Sequence, residues 1–183
     1  MKCLIASDLH GSAKYVEKLM EAWKRENPFV MILLGDILYH GPRNALPADY
    51  DTMRCVDMLN SIFSRIVCVR GNCDAEVDQM VLEFSLQHDF LDYYADGRRL
   101  FLTHGHIYGP HEPPLNMKPG DVMLSGHTHV PACFQSPEGV WFLNPGSVSI
   151  PKNGSPHSYM TLEKGLFLWK TLEGEVYREL QLD

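Results

Sequence analysis

The sequence predicts an α/β fold in one domain spanning residues 1–183, with helices concentrated early and β-hairpins late. Three observations carry that expectation. Short, unbroken apolar runs in the first half alternate with stretches of helical periodicity, as expected of strands covered on both faces. The second half instead places paired strand-length runs around short turn signals. The composition, 45% apolar and 21% charged over 183 residues, is that of a globular chain able to stabilise a core without disulfides or a structural metal.

Taken in order, Cys3–Ala6 reads as the first strand. Ser12 stands as an N-cap before Val16, Leu19, Met20 and Trp23, whose spacing predicts a helix to Arg25, stopped by Asn27-Pro28. Residues 29–34 form a second buried strand. Residues 52–61 carry Met53, Val56, Leu59 and Asn60 at helical spacing. A third strand, 66–69, leads to Asp74, which is expected to cap a helix with Val77, Met80, Val81 and Phe84 on one face. Residues 91–94 and 100–102 flank Asp96-Gly97, a hairpin turn signal. After a loop with Pro110, Pro113 and Pro114 comes the strand Val122–Leu124. Two more hairpins pair Ala132–Gln135 with 140–143 and 159–162 with 166–169, and a last strand lies near 176–180. No repeat, low-complexity tract or linker interrupts the chain.

Charge and cysteine usage exclude several classes. The net charge is −7 with histidine neutral, and no run of Lys/Arg marks a nucleic-acid groove. No apolar run reaches membrane-spanning length, and the residues before Asp8 are too few in apolar character for a signal peptide. The five cysteines, Cys3, Cys55, Cys68, Cys73 and Cys133, form no CxxC pair, and three lie in apolar runs. That is the pattern of buried thiols in a reducing compartment, so a cytoplasmic protein is expected. An edge strand or the aromatics Tyr93, Tyr94, Trp141 and Trp169 would serve a homo-oligomer contact as readily as a core.

The residues that follow the strands carry the chemistry. They are Asp8 and His10, Asp36, Asn72, His104, and His127 with His129 in the segment Gly126-His127-Thr128-His129. In open α/β sheets, functional groups collect beyond the carboxyl ends of strands. Each residue alone has an ordinary explanation: a helix cap for Asp8, a turn for Asn72, a hydrogen-bonded imidazole for His104. All seven at five strand ends point to metal ligation instead. Two carboxylates, one amide and four imidazoles require no thiolate, which favours Mn, Fe, Zn or a similar ion over a structural zinc site. Seven ligands exceed what one ion with an open position needs, so two ions sharing a carboxylate are expected. Two divalent ions less two aspartates leave a double positive charge, which a hydroxide and one phosphodiester oxyanion would neutralise. That balance points to two-metal phosphoryl chemistry, with attack by a metal-bridging hydroxide.

The order Asp8-x-His10, Gly35-Asp36, Gly71-Asn72, His104 beside Gly105-His106, and Gly126-His127-x-His129 resembles the signature of the calcineurin-like metallophosphoesterases, over Asp8 to Ser147. Gly71-Asn72-Cys73-Asp74, Asn144-Pro145-Gly146-Ser147, His40-Gly41-Pro42-Arg43-Asn44 and the small size resemble its branch of small bacterial and archaeal phosphodiesterases. The resemblance implies a four-layer α-β-β-α sandwich of two mixed β-sheets flanked by helices. It also implies Asp8, His10 and His129 on one ion and Asn72, His104 and His127 on the other, with Asp36 bridging. Mn²⁺ is the activator it implies, with Zn²⁺, Fe²⁺ or Ni²⁺ as alternatives. Catalytic roles then fall to Asp36, Asn72, His104, Cys73 and His106, and substrate contacts to His40 and Arg43.

Cys73 departs from the family, many of whose members have histidine there. A thiol of ordinary pKa, about 8.5, is a weaker support for a leaving group, so esters with good leaving groups are expected to be preferred. His88, His111 and His157 have no partner legible in the sequence and read as surface. The expected activity is hydrolysis of a small phosphodiester. A phosphomonoesterase or nucleotide pyrophosphatase on the same site is the alternative. A binding scaffold of the retromer-subunit type is a further one, although that subunit has a degraded ligand set and this chain keeps all seven residues.

Overall fold

The computed structural model describes residues 1–182, so Asp183, the last residue of the expected domain, lies outside the described residues. β1 (Cys3–Ala6) and β2 (Val30–Leu33) are buried at every position and pair in parallel, with β3 (Ile66–Cys68) parallel on the far side of β2. Two helices make the connections, α1 (Ala13–Glu26) and α2 (Thr52–Asn60). The second half contributes β4 (Phe90–Ala95), β5 (Arg98–Thr103), β6 (Val122–Leu124), β7 (Ala132–Gln135), β8 (Trp141–Asn144), β9 (Ser158–Glu163), β10 (Leu166–Thr171) and β11 (Val176–Gln181). They complete a six-stranded sheet of order β11-β10-β9-β1-β2-β3 and build a five-stranded sheet of order β4-β5-β6-β8-β7. Both sheets mix parallel and antiparallel pairs, as the expected fold class requires.

Strand periodicity sorts the core into layers. Leu4, Ala6, Met31 and Leu33 face outward, where α1 covers them with Ala13, Val16, Leu19, Ala22 and Trp23, and α2 with Cys55, Val56 and Leu59. Their neighbours Cys3, Ile5, Val30 and Ile32 face the second sheet and meet Leu100, Leu102, Val122, Leu124 and Leu143. Trp169, fully buried, belongs to this inner layer and donates its indole N–H to Asn144 O at 2.7 Å. Tyr94, by contrast, is 68% exposed on the edge strand β4. The outer face of the second sheet, with Phe101, Met123 and Phe142, is covered by Tyr108 and Met117 of the loop before β6. That loop forms the fourth layer where the expected sandwich has helices, since among the described residues no helix follows β5. Among the described residues no helix is long and apolar enough to cross a membrane.

The expected helix after Asp74 is a correction. Only a short 3-10 turn forms at Glu76–Met80, with Val77 and Met80 exposed at 61% and 82%. The residues that do bury are Leu82, Phe84 and Leu86, an alternation of period two that packs on the α1/α2 layer. Side chains replace the helical ladder there: Asp78 accepts from Ala75 N, and Gln79 bonds Leu82 O, Phe84 O and Leu86 N. Ser12 holds the N-cap position of α1, but its hydroxyl donates to Ala48 O rather than capping. Asp51 caps α2 by accepting from Arg54 N at 3.1 Å. Phe29 is 64% exposed and stands outside β2.

Glu26, at the end of α1, is buried between Lys2, Lys170 and Tyr159, each of which donates to its carboxylate at 2.6–2.8 Å. Burial opposes its charge, but the hydrogen bonds from Lys170, Lys2 and Tyr159 win and hold its pKa at about 2. The folded value lies below the ~4.3 of an unfolded glutamate, so this stabilisation is full at neutral pH and is lost as pH falls through the folded value. Urea unfolding of Glu26→Gln should therefore read about 2 kcal/mol less stable at neutral pH, with the difference vanishing at strongly acidic pH.

Candidate metal centre

The topology brings the seven residues to one rim. β1, β2 and β3 run parallel in the first sheet, and β5 and β6 run parallel in the second. Asp8 with His10, Asp36 and Asn72 follow the first three, and His104 and the pair His127 and His129 follow the other two. Asp8, His10 and His129 offer ligand atoms within 4.8 Å of one another, and so do Asp8, Asp36 and His104. His127 joins through its ring, centred 5.1 Å from that of His104, and through its amide, which donates to Asp8 Oδ2 at 3.1 Å.

Backbone carbonyls fix the tautomers. Nδ1 of His10 donates to Tyr39 O at 2.8 Å, that of His104 to Leu34 O at 2.7 Å, and that of His129 to Ile150 O at 2.6 Å. A carbonyl oxygen only accepts, so each Nδ1 carries a proton and each ring, when neutral, turns an Nε2 lone pair inward. Those lone pairs meet other acceptors. His10 Nε2 lies 3.3 Å from His129 Nε2, and His104 Nε2 lies 3.1 Å from Asn72 Oδ1 and 3.4 Å from Asp36 Oδ2. Asp8 Oδ1 sits 3.3 Å from His129 Nε2 and 3.7 Å from His10 Nε2, fully buried with no hydrogen-bond donor. A buried ring of facing lone pairs is repulsive unless a cation sits among them. The donor set therefore fits divalent metal ions.

The same field governs the titrations. Burial would raise the pKa of Asp8, but the His10, His104 and His129 imidazoles draw it below the usual carboxylate range. Asp36 is likewise lowered against its burial, through His104, the Cys73 amide and His10. Without a metal ion a proton takes the cation's place: burial disfavours a charged His104, but Asp36 and Asp8 outweigh it and raise its pKa to about 9. Burial lowers His127 and His129, with His104 adding to the effect at His127.

The backbone is bent to present these groups. Asp8, His10, Asp36, His127 and His129 all have φ between 48° and 65°, a left-handed conformation that a residue with a side chain adopts at a cost of about 1–3 kcal/mol. Two glycines make room beside them. A Cβ on Gly71 would collide with the Asp36 carboxylate, and one on Gly126 with Ser7 Oγ and Asp8 Oδ2.

Asp74 holds the strained loops together, a role the sequence did not reveal. Its carboxylate accepts from Asp36 N at 2.8 Å, Ile37 N at 2.7 Å and Gly71 N at 2.6 Å, tying the loop after β2 to the loop after β3. Burial pushes its pKa up to about 6 against the pull of those amides. Asn144 does the same for the histidine loop, donating to Gly126 O at 2.7 Å and Thr128 Oγ1 at 3.2 Å. Ser147 and Ser149 both donate to Asp8 O.

A cleft of about 470 Å³ opens over the cluster, lined by Asp36, Arg43, Asn72, Cys73, His127 and His129 among others. Cys73 donates its amide to Asp36 Oδ1 at 2.8 Å, and its thiol is pushed up to about 12 by burial and by Asp36. His106 lies beside the cluster, its ring 5.4 Å from that of His104. His40 packs edge-on between Tyr39 and Tyr50 and does not itself line the cleft, although its carbonyl accepts at 2.8 Å from Asn44, which does. Lys152 lines the cleft, and its amide donates to His129 O at 3.2 Å. The sequence reading passed over it because a lone lysine after Ile150-Pro151 carries no pattern. His88 and His111 are exposed as expected, whereas His157 stacks on Tyr15 at 3.9 Å and bonds Val148 O.

Sandwich and ligand rim together define a metallophosphoesterase. Residues 1–164 match the calcineurin-like phosphoesterase superfamily domain, and the chain belongs to that family of metal-dependent phosphoesterases. It is 45% identical over 164 residues to phosphodiesterase YfcE of Escherichia coli strain K12, which covers 89% of this chain and 88% of that protein. The solved structure of YfcE, described as a phosphoesterase from E. coli, superposes with a TM-score of 0.96 at 40% identity over 100% of both chains. Vps29 of Entamoeba histolytica, solved with zinc, shares the fold at a TM-score of 0.66 and 19% identity over 98% of each chain.

Truncating Asp74 tests the clamp. Asp74→Ala should destabilise the protein by about 2–3 kcal/mol, because buried amides lose their acceptor. It should also weaken divalent-metal binding about 10–100-fold, as read by calorimetric titration. Asp74→Asn, which keeps one acceptor oxygen, should fall between.

Proposed function

We propose that this chain hydrolyses a small phosphodiester at a two-metal centre. One observation carries the reading: Asp36 Oδ2 lies 3.6 Å from His10 Nε2 and 3.4 Å from His104 Nε2, so a single carboxylate faces both halves of the ligand cluster. Asp8, His10 and His129 would hold one ion, Asn72, His104 and His127 the other, and Asp36 both. When bound, such a pair would supply a nucleophile at neutral pH and positive charge for the developing oxyanion. Nitrogen and oxygen donors without an obligatory thiolate support Mn²⁺, with Zn²⁺, Fe²⁺ and Ni²⁺ as alternatives.

The remaining residues of the cleft act on the substrate directly. Arg43 and Lys152 bring the two cationic side chains among its lining residues, suited to orient a phosphate oxygen. His40 would act through the position of its loop. Burial and His104 lower the pKa of His106, which leaves a neutral imidazole beside the cluster at neutral pH. The Cys73 thiol, at about 12, keeps its proton and is a poor donor to a departing alkoxide. The phosphodiesterase relative at 45% identity supports a diester over a monoester. Five free thiols support a reducing, cytoplasmic setting.

The test is hydrolysis of bis(4-nitrophenyl) phosphate by Mn²⁺-loaded protein, with 4-nitrophenyl phosphate alongside. Metal-dependent turnover of the diester, at least about 100-fold above that of Asp36→Asn, is the expected result. A faster monoester reaction would overturn the choice of substrate class. Two bound ions with no turnover of either ester would favour a scaffold.

Cys73 gives a separate expectation. The protein should hydrolyse aryl methyl diesters far faster than dialkyl ones, and Cys73→His should narrow that gap about tenfold or more through kcat on the alkyl ester. Equal rates on aryl and alkyl esters in the unsubstituted protein would remove the claim.

A further inference from the structure

Beside the metal-ligand cleft lies a second cavity, of about 690 Å³, within the range of about 300–1,000 Å³ usual for small-ligand sites. The two share Thr128, and His106, close to the His104 and His127 rings, lines the second. Their chemistry differs sharply. Arg43 and Lys152 line the first, whereas no lysine or arginine lines the second, which instead carries Glu112 and Glu138.

The second cavity also has an aromatic wall. Phe134 of β7 stacks on Phe142 of β8, ring centres 5.3 Å apart and 21° from parallel. Phe142 is buried, but Phe134 remains 45% exposed, and Ile107 on the same cavity is 41% exposed. Leaving a phenyl face uncovered in that cavity costs hydrophobic stabilisation that a flat ligand would restore. The carboxylates would repel a second anion there.

We propose that this cavity receives one ester substituent of the substrate, an uncharged planar ring, laid against Phe134 while the phosphate occupies the cleft of Arg43 and Lys152. The proposal deepens the phosphodiesterase reading and rests on it. It divides the substrate by charge: the anionic centre goes to the cationic cleft and the neutral ring to the acid-rimmed one.

Kinetics of Mn²⁺-loaded protein provide one arm of the test. Phe134→Ala should raise KM for bis(4-nitrophenyl) phosphate about tenfold, at a kcat and metal content within about twofold of the unsubstituted protein. Glu112→Gln combined with Glu138→Gln should raise kcat/KM for a diester with a carboxylate on its ring about fivefold relative to the neutral ester. An unchanged KM in Phe134→Ala, or a joint loss of kcat and bound metal, would overturn the proposal. The other arm needs no turnover. Titration with uncharged 4-nitrobenzyl alcohol should shift the amide resonances of Ile107, Thr128 and Phe134, and should not do so in Phe134→Ala. Silence at those amides would overturn the cavity's ligand class. Shifts without diester turnover would sustain that class and sink the reaction instead.

Discussion

The structure depends on a buried repulsion. His10, His104 and His129 each commit an Nδ1 proton to a backbone carbonyl, and so aim Nε2 lone pairs at one another and at two carboxylates. With the rings neutral that arrangement does not stabilise itself, and a proton or a metal ion among them relieves it. An uncompensated buried acceptor costs about 1–3 kcal/mol, and several share one small volume here. The rest of the molecule has to hold these groups in place until positive charge relieves them, which is what makes the site avid for a cation.

The holding is done by elements that resist local relaxation. Parallel strands buried on both faces fix where each loop begins. Loop shape is then fixed by hydrogen bonds across the rim. Asp74 binds the amides of two loops, Asn144 the histidine loop, and Ser147 with Ser149 the carbonyl of Asp8. Positive φ at Asp8, His10, Asp36, His127 and His129 records the strain that these contacts sustain. Such strain persists only where surrounding bonds over-determine the backbone, and each of these loops has such a bond.

The pattern of legibility follows from the same physics. The strands and the metal-ligand candidates could be read because each has a local signal: an apolar run of strand length, then Asp, Asn or His at its end. β1 and β6 were read to the residue, since polar neighbours bound them sharply. What could not be read depends on contacts distant in sequence. Asp74 looks like a helix cap because three of the following residues, Val77, Met80 and Val81, mimic a helical face, yet its acceptors serve Asp36 and Ile37, far back along the chain. The buried alternation Leu82, Phe84, Leu86 was the available counter-signal, and it has the period of extended chain. Lys152 and the open face of Phe134 have no local signature, because cavities are made where loops from both sheets converge.

Net charge is a poor guide to what such a site binds. The chain carries −7 overall, which by itself would repel a phosphodiester. Exposed charges are screened over about 8–10 Å in physiological salt, so much of that charge is not felt inside a cleft. What acts there is local: Arg43 and Lys152 on the walls, and a floor whose two carboxylates face imidazoles and would be outweighed by two divalent ions. In the neighbouring cavity the carboxylates of Glu112 and Glu138 face no lysine or arginine among its lining residues. Adjacent cavities of opposite character can orient a molecule that is anionic at its centre and neutral at its edge more strictly than either would alone. Sliding the phosphate into the neighbouring cavity would set its charge against those carboxylates, so the placement of the anionic centre is selected electrostatically before any contact closes.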